Sequence, residues 1–386
     1  MKKYIAIATL ALLAGAACSK VDTVDSSAPA KIGFEVATYV PENQATKAID
    51  DEKNTTFPVG GGGSLFGESL TTVQFYANGF FYPASGTAGQ DFMKNVTIKP
   101  NGATSDATTV WAPGDDYYWP KSGYINFVSY ASEDNSISFT AKALDTKKVK
   151  LTIAEKAIDA SDNILIADAV FNANKDNCSG STMDVTGEAT NGVPTLFRHA
   201  LAKLKITFNL KTETAKKTTK TTYVVEVTDA KIECATSGSL ELVNDGSLLG
   251  DNLVIQRWFN TGDVNWTTTA SAGIVCSKPT VTLTNNTDTG NGADGNILAE
   301  RSVLPQELGT SVKLILKYTV KAKHDSTDYS EEKFEVTKEL STASITKWGA
   351  NQKFTYNITL DPVTNTVSFD PAVQNWEAGG SANISL

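Results

Sequence analysis

Apolar residues recur at every second position in many short segments of this chain, and this period limits its fold more than any other feature. One face of residues 312–320 carries only apolar or aromatic side chains, namely Val312, Leu314, Leu316, Tyr318 and Val320. The same alternation runs through residues 204–210, 149–153 and 354–360. A period of two is typical of a half-buried strand, and helical spacing is nearly absent. The pattern predicts an all-β chain built from antiparallel sandwiches.

Chain length and a polar interruption predict two domains. At 386 residues the chain is longer than a single core comfortably supports. Residues 172–195 are rich in Asn, Gly, Ser and Thr, and an apolar alternating run follows from Leu196. We expect tandem β-sandwich domains at residues 48–195 and 196–386, preceded by two short N-terminal segments at 1–18 and 19–47.

The first eighteen residues have the pattern of an export signal. Lys2 and Lys3 precede a short apolar run, and small residues follow up to Cys18. A cysteine directly after small residues resembles a bacterial lipobox, in which Cys18 would be lipidated and become the mature N-terminus. The alternative is an ordinary signal peptide with an incidental cysteine. On either interpretation the chain is exported.

The segment after the signal predicts one strand on an exposed tether. From Lys31 to Val40 the apolar residues alternate inward and the polar ones outward; the predicted inward residues are Ile32, Phe34, Val36 and Val40. Residues 41–54 then lose the apolar period and become polar and acidic around Lys47. Exposed polar tethers of this kind are the segments that proteases cut.

Composition and motifs exclude several other functions. The formal net charge of −9 disfavours nucleic acid as a partner. The chain has two histidines and no G-x-S-x-G motif, so we expect no catalytic residues and no enzyme activity. Cys178, Cys234 and Cys276 are widely spaced and form neither a zinc pattern nor a disulfide framework, although one pair could bridge. We expect no metal and no cofactor; residues 286–294 are rich in Asn and Asp but do not match a calcium loop.

Several segments, taken in order, resemble the fimbrillin family, the type V pilins of Bacteroidales bacteria. The residues that carry the resemblance are the start ending in Cys18-Ser19-Lys20, KIGFEVATYV with the following ATKA, VWAPGDDYYWPKSGYINFVSYAS, LFRHALAKLKITF, VLPQELGTSVKLILKYTV, WGANQKFTYNITL and VSFDPAVQNWEAGG. They sample nearly the whole chain. The resemblance implies transthyretin-like, Greek-key sandwich domains and a structural pilin on the cell surface.

The resemblance also implies an assembly mechanism. The precursor would reach the outer membrane as a lipoprotein, palmitoylated at Cys18, and a trypsin-like Arg/Lys protease would cut it after Lys47, before Ala48. Lys53 is the other candidate for the cut. The first strand would then leave, and the C-terminal strand of another subunit would fill the vacated groove. The inward residues of that donor strand are Ala382, Ile384 and Leu386. The implied partners are further copies of the chain, in a head-to-tail polymer that supports adhesion, and other fimbrial subunits.

Two alternatives remain open from the sequence. Asp115 and Asp116 precede Tyr117, Tyr118 and Trp119, and aromatic rings beside carboxylates can stack on sugars. The chain would then be a monomeric adhesin or glycan-binding lipoprotein that keeps its first strand. The family resemblance and the turn at Trp119-Pro120 favour the other interpretation of this segment, a buried aromatic hairpin. Within the fimbrillin family, an anchor or tip subunit is the alternative to a stalk subunit.

Overall fold

The computed structural model describes residues 30–38, 74–83, 89–100, 111–132, 134, 136–145, 147–178, 192–211, 221–246, 252–276, 281–284, 297–324, 330–362 and 366–376. Within these residues the chain forms strands and no helix, so the all-β prediction is confirmed. None of the described segments is a helix long and apolar enough to cross a membrane.

The strands are numbered in chain order. The first eleven are β1 Phe34–Thr38, β2 Phe75–Tyr82, β3 Gln90–Pro100, β4 Trp111–Pro113, β5 Tyr124–Ser132, β6 Phe139–Asp145, β7 Lys148–Ala157, β8 Ile164–Ala167, β9 Ala169–Ala173, β10 Val193–His199 and β11 Ala202–Leu210. The others are β12 Thr221–Asp245, β13 Val254–Gln256, β14 Trp266–Val275, β15 Val281–Thr284, β16 Ile297–Val303, β17 Gln306–Glu307, β18 Lys313–His324, β19 Ser330–Glu339, β20 Lys347–Trp348, β21 Gln352–Asp361 and β22 Thr366–Asn375.

The alternation seen in the sequence produces strands with one buried face. In β21 the residues at positions 354, 356, 358 and 360 are buried, and those between them are half-buried. On the buried face of β18 the side chains of Leu314, Leu316 and Tyr318 are at most 2% exposed. Burying one face of a pleated strand in this way is the main source of its stability.

A nine-stranded sheet contains the first strand of the chain. Its order is β13-β9-β5-β2-β3-β4-β1-β10-β8, and β5 also pairs with β8. The second pairing closes the path, so β5, β2, β3, β4, β1, β10 and β8 form a ring of hydrogen-bonded strands. β1 therefore lies inside the ring, between β4 and β10, and not at an edge.

The 25-residue strand β12 is the middle strand of the other large sheet, whose order is β19-β18-β12-β7-β6. Its first half pairs with β18 and β15, and its second half with β7. The register shifts near Thr228 and again between Ala235 and Gly238. Shifts of this kind bend a strand and let it change partners along its length.

Hydrogen bonding crosses the predicted domain boundary in several places, and the boundary itself falls within β10. β7 lies before residue 195 and pairs with β12 after it, and β13 returns to pair with β9. One apolar cluster likewise draws residues from both sides of position 195, for example Leu151, Leu240 and Leu304. A second cluster lies between the β16-β11-β21-β22 sheet and β12 with β18, and a third lies inside the ring. The division into 48–195 and 196–386 stays a prediction.

A buried ion pair holds β10 in the ring. The Arg198 guanidinium donates through Nε and Nη2 to the two Asp168 carboxylate oxygens, each at 2.9 Å, and both side chains are 3% exposed. The Asp168 amide also donates to the Leu196 carbonyl at 2.9 Å. A two-bond contact between planar groups fixes orientation as well as distance. On the side opposite β1, β10 is therefore held to the residue between β8 and β9 by this ion pair and hydrogen bond.

Candidate functional site

The first strand, β1, pairs with β10 on one side and with β4 on the other. Phe34 to Thr38 run parallel to β10, with Phe34 opposite Val193 and Thr38 opposite Phe197. On the other side, Phe34 lies opposite Trp111 of β4. Parallel pairing joins residues that are distant in sequence, as it does here. We call the space between β4 and β10 that β1 fills the first-strand groove.

The residues just before β1 pair with a second segment. The Ile32 amide donates to the Tyr117 carbonyl at 2.8 Å, and the Trp119 amide donates to the Ala30 carbonyl at 3.0 Å. Lys31 and Tyr118 form an antiparallel bridge between these two bonds. The aromatic segment of the sequence therefore serves as an edge of the first-strand groove.

The inward side chains of this strand are buried in the core of the ring. Ile32 is 2% exposed, Phe34 0% and Val36 1%, whereas Lys31 is exposed and Glu35 half-buried. This is the alternation that the sequence shows for residues 31–36. The fourth predicted inward residue, Val40, lies outside the described residues.

Phe34 occupies the centre of a set of aromatic rings. Its ring packs edge-to-face on Phe75 at 5.6 Å and on Phe127 at 5.5 Å, between centroids. Phe75 in turn contacts Trp111 at 5.6 Å and Phe197 at 5.3 Å. We call these five residues the aromatic cluster. Edge-to-face pairs add about 0.5–1.5 kcal/mol each beyond the area they bury.

A close backbone approach sets the start of the groove. The Val193 amide donates to the Gly33 carbonyl at 2.8 Å. A Cβ placed on Gly192 would come within 2.5 Å of that same carbonyl oxygen. Since real Cβ atoms do not tolerate such a distance, Gly192 is the residue that lets β1 enter beside β10.

The predicted sugar-stacking patch is only partly covered: Trp119 is buried and Tyr117 half-buried, whereas Asp115, Asp116 and Tyr118 are exposed. Trp119 is 7% exposed, and its ring lies 6.1 Å from that of Phe127. Tyr117 packs on Phe92 at 6.0 Å. Tyr118 is 37% exposed, and its hydroxyl donates to Asp116, which also accepts from Lys31 Nζ at 2.7 Å. The bond from Lys31 lowers the pKa of Asp116. Burial of Trp119 agrees with the hairpin interpretation of this segment.

The last described residue, Trp376, is held firmly. Its ring stacks on His199 at 3.9 Å with an angle of 2° between the planes, and it is 7% exposed. Its amide donates to the Asn351 carbonyl at 2.8 Å, and the Asn351 amide donates to the Leu201 carbonyl at 3.0 Å. Lys203 Nζ lies 5.8 Å from the Trp376 ring. We call Trp376 with these contacts the tail root, and residues 377–386 the C-terminal tail.

His199 is a structural residue of the tail root. Nδ1 and the Asn163 side-chain oxygen are 2.8 Å apart, and the His199 amide donates to the Asn351 side chain at 3.2 Å. Burial, and to a lesser degree the Lys203 ammonium, lowers the pKa of His199 to about 3. The imidazole is therefore neutral in the folded protein at ordinary pH.

Several predicted sites lie outside the described residues. These are Cys18, Lys47, Ala48, Lys53, Ala382, Ile384, Leu386 and the Asn- and Asp-rich residues 286–294. The three described cysteines, Cys178, Cys234 and Cys276, are buried unpaired thiols. Burial raises the pKa of each to about 12. In the described part of the chain, no group of three or more His, Cys, Asp or Glu residues is placed to hold a metal ion.

Comparison with known proteins places the chain in a family. A family model described as fimbrillin-like matches residues 79–376. The chain belongs to the fimbrillin-like family. This confirms the resemblance seen in the sequence. Members of this family are structural proteins without enzyme activity, and membership supports a fimbrial or cell-adhesion role at the cell surface, in association with other fimbrial subunits.

Solved structures show a weaker similarity. A fimbrial protein from Bacteroides vulgatus is 15% identical at a TM-score of 0.48, with 90% of this chain and 99% of that chain covered. The fimbrial anchor protein Mfa2 from Porphyromonas gingivalis is 11% identical at a TM-score of 0.30, with 90% and 98% covered. TM-scores below 0.5 carry no argument about fold or function. Among curated proteins, none matches the chain.

The site contains residues that sequence analysis did not single out. Phe75, Phe127 and Phe197 line the first-strand groove, and Trp376 stacks on His199. All of them except Phe75 lie within segments that carry the family resemblance, but the resemblance gave none of these rings a partner. Each is an apolar or aromatic residue in an alternating strand or at its end, and such residues predict burial but not which ring meets which. Gly192 had a signal, since a glycine directly before an apolar run commonly marks a close backbone approach.

The aromatic cluster predicts that β1 is stabilised mainly by Phe34. Replacing Phe34 with Ala removes a ring with no exposed surface, and we expect the free energy of unfolding to fall by about 3–5 kcal/mol. Urea unfolding followed by tryptophan fluorescence measures this. Lys31→Ala is the control, because that side chain is 61% exposed, and its midpoint should match the unmodified chain. Equal midpoints for both variants would contradict the assignment.

The low pKa of His199 predicts a pH-dependent stability. In the unfolded chain the imidazole takes up a proton below pH of about 6.5, whereas in the folded chain it does so only near the lowered pKa of about 3. As the pH is lowered between these two values, the free energy of unfolding should fall by up to ~1.4 kcal/mol per pH unit, because the unfolded chain binds the proton and the folded chain does not. His199→Phe keeps a ring against Trp376 but cannot titrate. Between pH 6.5 and 4.5 the urea midpoint should change less in this variant than in the unmodified chain. Equal changes in the two proteins would refute the prediction.

Proposed function

We propose that this protein is a fimbrial stalk subunit that polymerises by exchanging its first strand for the C-terminal strand of another copy. The observation that carries the proposal is the position of β1, which alone joins β4 to β10 and so closes the ring. The family and the closed ring both support it. The steps that follow concern the exported precursor.

The first strand is placed so that one cut releases it. β1 is the first of the described strands, and residues 39–74 connect it covalently to β2. A protease that cuts within this connection leaves β1 attached to the body by hydrogen bonds and burial alone. No threading of the chain is needed for it to leave. Lys47 is the proposed cleavage site, Ala48 the new N-terminus and Lys53 the second candidate; a trypsin-like protease fits either lysine.

Departure of β1 would leave a groove that favours a replacement strand. Burial of Ile32, Phe34 and Val36 stabilises the folded chain by about 1.5–3 kcal/mol for each side chain. Together this is at most about 5–9 kcal/mol. The groove would also expose unpaired backbone groups of β10, β4 and residues 117–119. An open sheet edge of this kind templates the pairing of another strand. Ala382, Ile384 and Leu386 supply three alternating apolar side chains for the three buried positions.

Lipidation of Cys18 would anchor the precursor to the outer membrane until the cut is made. Because the lipid is attached upstream of Lys47, the same cut removes both the anchor and the first strand. The mature subunit would then be held at the surface by its neighbours in the fimbrium and not by a lipid. Of the two proposed domains, residues 48–195 would carry most of the acceptor groove and residues 196–386 the donor strand. The last two groove positions of β10, Leu196 and Phe197, lie just beyond the proposed boundary.

The proposed maturation has a direct test. Subunits recovered from the cell surface should begin at Ala48, as read by N-terminal sequencing. Lys47→Gln should block this cut and keep the protein as a monomer that retains β1, because the groove stays filled. Lys53→Gln is the control and should mature and assemble like the unmodified chain. Mature fimbriae that still begin at Cys18 would refute the proposal and favour a lipoprotein that keeps its first strand.

Ile384 is predicted to be the central donor residue. Ile384→Asp places a charge against the aromatic cluster and should abolish polymer formation, because an unpaired charge is very costly to bury. Unheated denaturing gels after mild trypsin treatment show assembly as a ladder of multimers. Asn383→Asp adds the same charge on the outward face and should still produce the ladder. Normal ladders from both variants would mean that the donor strand lies elsewhere.

A further inference from the structure

The position of the tail root limits where the C-terminal tail can go. The Trp376 ring stacks on His199, the last residue of β10, and its amide is linked through Asn351 to Leu201 beyond it. β10 runs from Val193 to His199, and β1 lies along its first five residues in the same direction. The tail therefore starts beyond the Thr38 end of the groove, at the opposite end from Ile32.

A donor strand that runs in the same direction as β1 must begin at the Ile32 end of the groove, which is the end far from the tail root. The distance along β10 from His199 back to Val193 is six residues, or about 20 Å at ~3.3 Å per residue. Val193 is the partner of Phe34. Ile32 lies a further two residues away, which brings the distance to about 26 Å. Ala382 would have to reach that point before Ile384 and Leu386 could enter in order.

The spacer is too short for this path within one molecule. Trp376 and Ala382 are separated by five residues, 377–381. Six Cα steps, fully extended, span at most about 22 Å. The chain would also have to reverse its direction at the far end, and the tightest reversals use two residues. Shifting the donor so that Ala382 takes the place of Phe34 still requires about 20 Å and the reversal.

We propose that the tail root makes strand exchange strictly intermolecular: Trp376, held on His199, keeps the donor strand from filling the groove of its own chain in the β1 direction. The occupant of the groove is then the tail of a second copy. This inference rests on the proposed function, and it assigns Trp376 and His199 as positioning residues. It would also account for how a subunit that carries both a groove and a donor strand avoids capping itself.

Lengthening the spacer tests the inference. Ten Gly and Ser residues inserted between Gly380 and Ser381 give a flexible spacer with enough reach for the far end of the groove and the reversal. A linked donor at that reach has an effective concentration on the order of millimolar, far above a micromolar subunit concentration. After tryptic release of the first strand, the lengthened chain should therefore cap itself. We expect the ratio of monomer to polymer in size-exclusion chromatography to rise at least about tenfold over the unmodified chain.

Two controls separate self-capping from a general assembly defect. The same ten residues inserted between Asp325 and Ser326, in the connection from β18 to β19, leave the spacer unchanged, and that variant should polymerise like the unmodified chain. The lengthened chain with Ile384→Asp should also be monomeric, but with an open groove. A labelled peptide of residues 377–386 should bind this open monomer and should not bind the self-capped one; fluorescence anisotropy measures both.

Three results would overturn the inference. The first is a lengthened chain that polymerises as fully as the unmodified one. The second is a lengthened monomer that binds the labelled peptide, since its groove would then be empty. The third is an unmodified, trypsin-treated chain that stays monomeric and refuses the peptide, because its own tail would then have entered antiparallel to β10. A trypsin-treated chain that polymerises equally well with and without Ile384→Asp would instead overturn the proposed function, because the donor strand would then lie elsewhere.

Discussion

The burial of the first strand between β4 and β10 is the interaction on which the rest of this structure depends. A ring of strands has no edge, and this ring is closed only because β1 fills the gap between two strands that do not otherwise pair. Phe34 reaches the middle of the ring and contacts Phe75 and Phe127, whose neighbours extend the aromatic cluster to β4 and β10. The same strand thus completes both the hydrogen bonding and the core.

That arrangement has opposite consequences before and after a cut. While β1 is attached, the domain has a continuous sheet and a filled core. In the proposed function, the same five positions of β10 and the same buried positions would become a binding site for a strand of similar pattern once β1 leaves. Since β10 is fastened on its other side by Arg198 and Asp168, the wall of the groove does not depend on β1 alone. In the proposed function, this is what would keep the acceptor shaped during exchange.

Two outer strands of the described sheets, β19 and β22, are poorly suited to accept a strand. β19 alternates charged residues along almost its whole length, and its side chains are mostly exposed. β22 carries Pro371 opposite Tyr356, and a proline cannot donate to an added strand. Charge and proline at sheet edges are known protections against unwanted pairing.

The sequence by itself determined the fold class and the buried face of the alternating strands β1, β7, β18 and β21, because side chains alternate with a fixed period of two whatever the strand later pairs with. It therefore predicted the inward positions of Ile32, Phe34 and Val36. The tertiary structure alone decided the partners. Pairing of Phe34 with Val193 joins residues far apart in the chain, and no local pattern encodes that choice. The stacking of Trp376 on His199 was equally beyond the sequence, since both are ordinary aromatic positions until the fold brings strand ends together. Local chemistry sets which face is buried, and long-range packing sets what it is buried against.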